Sequence, residues 1–262
     1  MDFTISTNNF VKFLERCRCG KLVKDLVMQA TGDMICAKFT DTNSNLYAEV
    51  YEKAIKIAEV GNIRIPSIEK LIACLKRSTS DAVRLKSVSG VFMVTDGAAA
   101  GKFNVKFTET ADEEFVESFV RVKSHGIKFD KEKLEYCGGK VQYQNGFKIP
   151  TESLLTLVGD AKAFGFELFN FNIGKDGLLS CEIEDKSTND KFTRKVITVE
   201  KIGEDFKSCS VGLGLKEIVS AIDSGYITEK KDDPRRNINV YFQEKSILFT
   251  DGNSYFYNLH TI

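Results

Sequence analysis

A chain of 262 residues with 37 basic and 37 acidic side chains carries no net charge, which excludes a globally basic nucleic-acid binder and leaves only local patches for that role. No apolar run approaches the roughly 18 residues of a membrane-spanning helix, and no charged, signal-like segment opens the chain. A soluble intracellular protein without membrane partners is therefore expected, in the cytoplasm of a prokaryotic host or the nucleus of a eukaryote, and seven cysteines without paired spacing suit a reducing compartment.

Along the chain one apolar spacing, positions 1, 4, 5 and 8, recurs four times. The sets are Phe10, Phe13, Leu14, Cys17; Ile68, Leu71, Ile72, Leu75; Leu154, Leu157, Val158, Ala161; and Leu215, Ile218, Val219, Ile222. Each predicts a helix with a single apolar stripe that can lie on something flat. The sets start 58, 86 and 61 positions apart, two near-equal pairs with extra chain in the middle, which reads as a duplication within a duplication. Arg64-Ile65-Pro66-Ser67 leads into the second helix and Lys148-Ile149-Pro150-Thr151 into the third, each placing a hydroxyl residue as N-cap after a proline that ends a strand.

Between the helices the period changes to two. Val83 and Leu85 alternate with Arg84 and Lys86, and Phe103, Val105 and Phe107 alternate with Asn104 and Lys106, the pattern of half-buried antiparallel strands. Val94-Thr95-Asp96-Gly97 after the second helix matches Phe249-Thr250-Asp251-Gly252 after the fourth. Each unit of about 60 residues thus reads strand, helix, then about three strands. Helices on one face of antiparallel sheets make the fold α+β. The expected division is an N-terminal domain 1–110, a connector 111–140 that ends in Cys137-Gly138-Gly139-Lys140, and a C-terminal domain 141–262.

Few motifs point to chemistry. Asp41-Thr42-Asn43-Ser44-Asn45 with Glu52 copies part of a calcium-loop spacing, but Leu46 stands where the sharp turn needs glycine, so a hairpin loop is the better reading. Gly212-Leu213-Gly214 begins like a dinucleotide fingerprint and then has Glu217 at the third glycine position. Cys17 and Cys19 lack a nearby histidine and read as packing residues, not as a zinc site. The two histidines, His125 and His260, lie in no nucleophile motif, and Glu182 and Glu184 fit a solvated strand face. Nothing here argues for an enzyme, a metal or a cofactor.

Surface charge is more informative because it repeats. Away from its apolar stripe the first helix carries Lys12 and Arg16, followed by Arg18, Lys21 and Lys24, and the second carries Lys70, Lys76 and Arg77. The third and fourth offer Lys162 and Lys216 beside acids, and Lys230, Lys231, Arg235 and Arg236 cluster after the fourth. One basic helix face is usually only a solvated face, but the same outward face basic on successive helices is a candidate phosphate track. The candidate DNA contacts are Lys12, Arg16, Lys21, Lys70, Lys76, Arg77, Lys162 and Lys216. Two long strands without proline, one with Phe103, Val105 and Phe107 and one with Leu179, Cys181 and Ile183, are read as exposed edges that pair with another copy.

The repeat order, helix faces and connector, with Met1-Asp2-Phe3-Thr4-Ile5-Ser6, Lys148-Ile149-Pro150, Gly126-Ile127 and Tyr255-Phe256-Tyr257, together resemble the sliding-clamp family of polymerase processivity factors over essentially the whole chain. The stretch from Leu46-Tyr47-Ala48-Glu49 to Asp81 looks like the phage version, and two domains per chain is the size that forms trimers in that family. The resemblance implies a homotrimeric ring whose helices line a hole for double-stranded DNA, tethering DNA polymerase and served by a clamp loader. It also implies an outer groove for client peptides at Phe39, Ile127, Phe129, Tyr257 and Leu259. Two other readings stay open: a clamp-like subunit of a heteromeric ring acting as a transcription or repair tether, and a repeat-built binding module that closes no ring.

Overall fold

The structure is a computed structural model that describes residues 1–88, 90–96, 104–108, 116–126, 128–137, 140–174, 178–185, 187–204, 209–211, 215–224, 237–243 and 246–258. Phe103, Ile127, Leu259, the Gly212–Gly214 run, the cluster from Lys230 to Arg236 and His260 lie outside these residues. The chain divides into two compact units, Met1–His125 and Gly126–Ile262, with the boundary inside the stretch expected as a connector.

The elements follow the fourfold repeat. The first repeat is β1 (Asp2–Ser6), α1 (Thr7–Arg18), β2 (Leu26–Thr31), β3 (Met34–Thr40), β4 (Leu46–Lys53) and an added β5 (Lys56–Glu59). The second is β6 (Gly61–Ile65), α2 (Ile68–Leu75), β7 (Ala82–Val88), β8 (Val91–Asp96) and β9 (Asn104–Thr108). A short helix, α3 (Glu117–Ser124), closes the unit. Unit 2 opens with a small antiparallel sheet of β10 (Lys128–Asp130), β11 (Glu135–Cys137) and β12 (Lys140–Gln142). The third repeat is β13 (Gly146–Pro150), α4 (Thr151–Phe164), β14 (Leu168–Ile173), β15 (Leu178–Glu184), β16 (Lys191–Thr198) and an added β17 (Glu200–Ile202). The fourth is β18 (Cys209–Val211), α5 (Leu215–Ser224), β19 (Asn237–Gln243), β20 (Ser246–Thr250) and β21 (Ser254–Asn258).

The repeats within a unit are interlocked. Unit 1 has the strand orders β5-β1-β7-β8-β9 and β6-β2-β3-β4; unit 2 has β17-β13-β19-β20-β21 and β16-β15-β14-β18. In each unit the leading strand of one repeat pairs antiparallel with the first strand after the helix of the other: β1 with β7, β6 with β2, β13 with β19 and β18 with β14. Each repeat thus completes its partner's sheet.

The helices bury the stripes that the spacing marks. Fifteen of the sixteen residues are buried; Val158 is half-buried. Ser6 Oγ accepts from the Asn9 N–H to start α1, and Cys19 at φ 43° with Gly20 at φ 64° ends it in the left-handed region. Ser67 caps α2 by accepting from the Lys70 N–H at 3.3 Å. Before α4 the expected cap is displaced by one residue: Pro150 holds the N-cap position without a side-chain acceptor, and Thr151 is already helical. In unit 1 Phe3 meets Phe10 edge-on at 5.9 Å, and in unit 2 Phe147 of β13 meets Phe171 of β14 at 5.8 Å, joining its two sheets.

Gly146 begins β13 because the sheet leaves no room for a side chain. A Cβ there would stand 2.0 Å from the carbonyl oxygen of Val240 on β19. Gly146→Ala should therefore push β13 off β19 and cost about 3 kcal/mol, read as a lower urea midpoint with the secondary structure of the folded state retained. An unchanged midpoint would contradict this packing.

Two sequence expectations are corrected by the sheets. Leu179, Cys181 and Ile183 do not lie on an edge. Strand β15 pairs with β14 on one side and along its whole length with β16 on the other, from Glu184 opposite Lys191 to Leu178 opposite Thr198. All three side chains are fully buried core. Among the described residues the strands at the ends of the repeats' sheets are β5, β9 and β6 in unit 1 and β16, β18 and β17 in unit 2. Nor does Phe39 belong to an outer groove. It lies opposite Ala48, which shares a face of β4 with Glu52, the residue that Arg16 of α1 reaches. Phe39 therefore faces α1 and is fully buried.

Candidate functional site

The helices decide which basic residues can meet a ligand. Helix α1 packs on β1 and β7 of one sheet, on β4 of the other, and on α2. This enclosure leaves little of its circumference open. Lys12 and Arg16 are 9 % and 5 % exposed, and Arg16 Nη1 lies 3.7 Å from Glu52 Oε2 on β4. The expected outward placement of these two residues is therefore corrected: they lie in the seam between helix and sheet, where a guanidinium needs an anionic partner. Glu15 links the end of α1 to the end of α2, accepting from Arg18 at 2.8 Å and from Lys76, the residue that caps α2, at 3.0 Å.

The remaining candidates lie open. Lys21 follows α1 at the exposed end of its last turn, and Lys70, Lys76 and Arg77 are exposed on and after α2. In unit 2 Lys162 of α4 and Lys216 of α5 are exposed and both line a cavity of about 250 Å³ whose apolar wall includes Val158 and Phe169. Glu167 and Glu217 share that lining, so the unit 2 cations stand among acids as the composition of these helices implies.

Of the expected client-binding residues, two are brought together. The ring of Phe129 on β10 lies 4.5 Å from that of Tyr257 on β21 and 5.7 Å from that of Tyr255. Tyr143, just past β12, adds a third contact to Tyr257 at 6.0 Å, and its hydroxyl hydrogen-bonds Ser246 Oγ at 2.7 Å. Phe129 remains half-exposed, whereas Tyr143 and Tyr257 are buried. The sequence reading missed Tyr143 and Tyr255. Tyr255 carried a signal, since alternate residues of a strand share a face.

A second aromatic group stands at the outer strand of unit 2. Phe164, the last residue of α4, is 52 % exposed and stacks on Phe166 at 5.6 Å and on Phe192 of β16 at 4.8 Å. Arg194 of the same strand is held by a bidentate pair with Asp160 of α4, which also keeps its guanidinium above its ordinary pKa. Large apolar rings beside an outer strand are what an association surface needs.

The polar motifs resolve into structure. Asp41 closes the β3–β4 hairpin by accepting from the Leu46 N–H at 2.8 Å, the role of a turn aspartate. Glu182 and Glu184 both pair with Lys191, at 2.8 and 3.1 Å. Cys17 is fully buried, and burial pushes its thiol well above the usual range, which leaves it unreactive. Among the described residues no helix is long and apolar enough to cross a membrane.

No protein-family model matches the sequence, and no curated protein does. Solved structures do. The chain resembles the proliferating cellular nuclear antigen of Entamoeba histolytica with a TM-score of 0.70 at 10 % identity, over 100 % of this chain and 98 % of that one. It also resembles a chain of the PCNA2–PCNA3 complex of Sulfolobus tokodaii with a TM-score of 0.68 at 13 % identity, over 100 % and 99 %. The interlocked fourfold repeat is therefore the α+β fold of the PCNA sliding clamps.

Proposed function

We propose that this protein is a DNA sliding clamp, a non-catalytic ring that encircles duplex DNA and tethers a polymerase. The observation that carries the reading is the match in fold over the full length of both chains, two duplicated units included. Exposed cations at Lys21, Lys70, Lys76 and Arg77, with Lys162 and Lys216 in unit 2, support contact with phosphates. Such contacts position a protein without reading bases and are exchanged as it moves. Retention on DNA would then come from ring closure, and no tight site is required.

In this reading three copies join through β9 of one chain and β16 of the next, so that two outer strands complete a continuous sheet. In the register of β9 with β8, Val105 and Phe107 stand at the positions of the buried Val94 and Phe92, and Phe103 precedes them in the same sequence alternation. Client proteins, the polymerase and a clamp loader among them, dock an apolar peptide against the half-exposed Phe129, whose ring rests on the buried Tyr255 and Tyr257, and Ile127 and Leu259 extend that set in sequence. A second reading, a heteromeric ring, is favoured by one observation: one of the similar structures is a complex of two different PCNA chains.

Topology provides the test. Protein is allowed to thread onto a linear duplex tethered at one end, and the free end is then blocked with a bulky group. A clamp stays through a high-salt wash and leaves when the duplex is cut. Loss at the same rate before and after cutting would exclude encirclement. Light scattering on the protein alone separates the two readings: three times the chain mass supports a homotrimer, and a single chain mass that rises only with a second clamp-like subunit supports the heteromer.

A further inference from the structure

The exposed cations of unit 1 are not equivalent. Among the described residues Lys21, Lys70 and Arg77 enter no ion pair, whereas Lys76 Nζ lies 3.0 Å from Glu15 Oε1. Glu15 takes a second cation as well, since Arg18 Nη2 lies 2.8 Å from its other oxygen. One carboxylate thus serves two positive charges at the ends of two packed helices, α1 and α2.

Helix stability does not account for an acid at this place. Glu15 lies in the last turn of α1, and the C-terminal end of a helix carries partial negative charge that favours Arg16, Arg18 and the α2 cap Lys76 and disfavours a carboxylate. An ion pair with a partner as open to water as Lys76 also adds little to the fold. What the carboxylate changes is the field outside. Glu15 is 15 % exposed, against 25 % for Arg18 and 58 % for Lys76, so the two cations face an approaching anion while the acid behind them lowers the positive potential they present.

We propose that Glu15 is a built-in competitor for phosphate, which holds Lys76 and Arg18 back from DNA and keeps the grip of unit 1 loose. The inference rests on the clamp reading, in which the helices of unit 1 face the duplex. A phosphate oxygen that takes Lys76 must displace Glu15 from it, and Glu15 takes the lysine back when the phosphate moves on. Both partners are oxyanions that accept charge-assisted hydrogen bonds, so the exchange costs little in either direction. Lys21, Lys70 and Arg77 meet phosphate without such a competitor. Glu15 itself needs no contact with DNA: it is a positioning residue that acts through the two cations.

Glu15→Gln in the full chain tests this, because the amide keeps the shape and still accepts a hydrogen bond but gives up the charge. Affinity for a short, open-ended, fluorescein-labelled duplex is read by anisotropy across a salt titration. The variant should bind about fivefold tighter than the wild type at about 50 mM salt, and its plot of log affinity against log salt should be steeper by about 1 to 2, close to one for each cation released. Glu69→Gln removes an exposed acid of α2 that enters no ion pair among the described residues, so it changes the net charge equally. It should give less than about a twofold gain and leave the slope unchanged. Adding Lys76→Gln to Glu15→Gln should take back about one unit of slope. A strut between helices would move the melting temperature and not the slope. Equal slopes for Glu15→Gln and the wild type, or the same gain from Glu69→Gln, would overturn the proposal. The clamp reading is judged separately on the wild type: loss from the end-blocked duplex at the same rate before and after cutting tells against encirclement, whereas a retained wild type with an unchanged Glu15→Gln slope removes only the role of Glu15.

Discussion

Phe164→Asp should convert an assembled ring into single chains. Phe164 lies 52 % exposed at the end of α4, so a carboxylate there costs the fold little. Its ring continues the surface of Phe192 on β16, the strand left open at the side of the unit 2 sheet. In the proposed assembly the helix-facing side of β9 from the next copy covers that surface, and a charge would be trapped against apolar residues. Loss of a central aromatic anchor typically costs about 2–4 kcal/mol of association, roughly a 30- to 1000-fold rise in the dissociation constant. Val105→Pro on β9 should act from the other side by removing a ladder hydrogen bond. Light scattering at micromolar concentration reads both. A Phe164→Asp protein of unchanged mass would place the subunit contact elsewhere.

The second large effect is expected from Lys21, Lys70, Lys76 and Arg77 reversed together to glutamate. All four are exposed in unit 1. Reversing four cations that meet phosphates should lower loading onto an end-blocked duplex on the order of tenfold or more at low salt, with the gap narrowing as ionic strength rises. The loss should be the same for unrelated DNA sequences, because phosphates carry no base information. Circular dichroism should show an intact fold. Lys12 and Arg16 do not belong in this set: reversing Arg16 would set a second acid against Glu52 and report on stability, not on DNA. Equal loading by mutant and wild type at all salt concentrations would remove the phosphate track from unit 1.

Several readings from sequence failed for one reason, that neighbours distant in the chain are invisible to local pattern. Strand β15 alternates Leu179, Cys181 and Ile183 whether it lies at an edge or in the interior, and only its pairing with β16 decides. Phe39 could face either side of β3 until its register with Ala48 turns it toward α1. Arg16 looks outward on a helical wheel, but α1 is enclosed by two sheets and a second helix. Helix α3 fell in a stretch expected as connector, since its cap is supplied by Asp25 from 93 positions away.

What the sequence determined by itself was everything that repeats with the period of a local element. The four stripes, the capping Ser67, the hairpin at Asp41 and the order strand, helix, strands were all legible, because backbone geometry places residues three and four apart on one helix face and alternate residues on one strand face. The tertiary structure alone decided which strands meet. Each leading strand crosses into the sheet of its sister repeat, β1 beside β7 and β6 beside β2, and so the core, the outer strands and the open helix faces belong to pairs of repeats. Antiparallel pairing satisfies backbone donors and acceptors without regard to which repeat supplies them, and the choice between a strand's own repeat and its sister is made by packing over the whole unit.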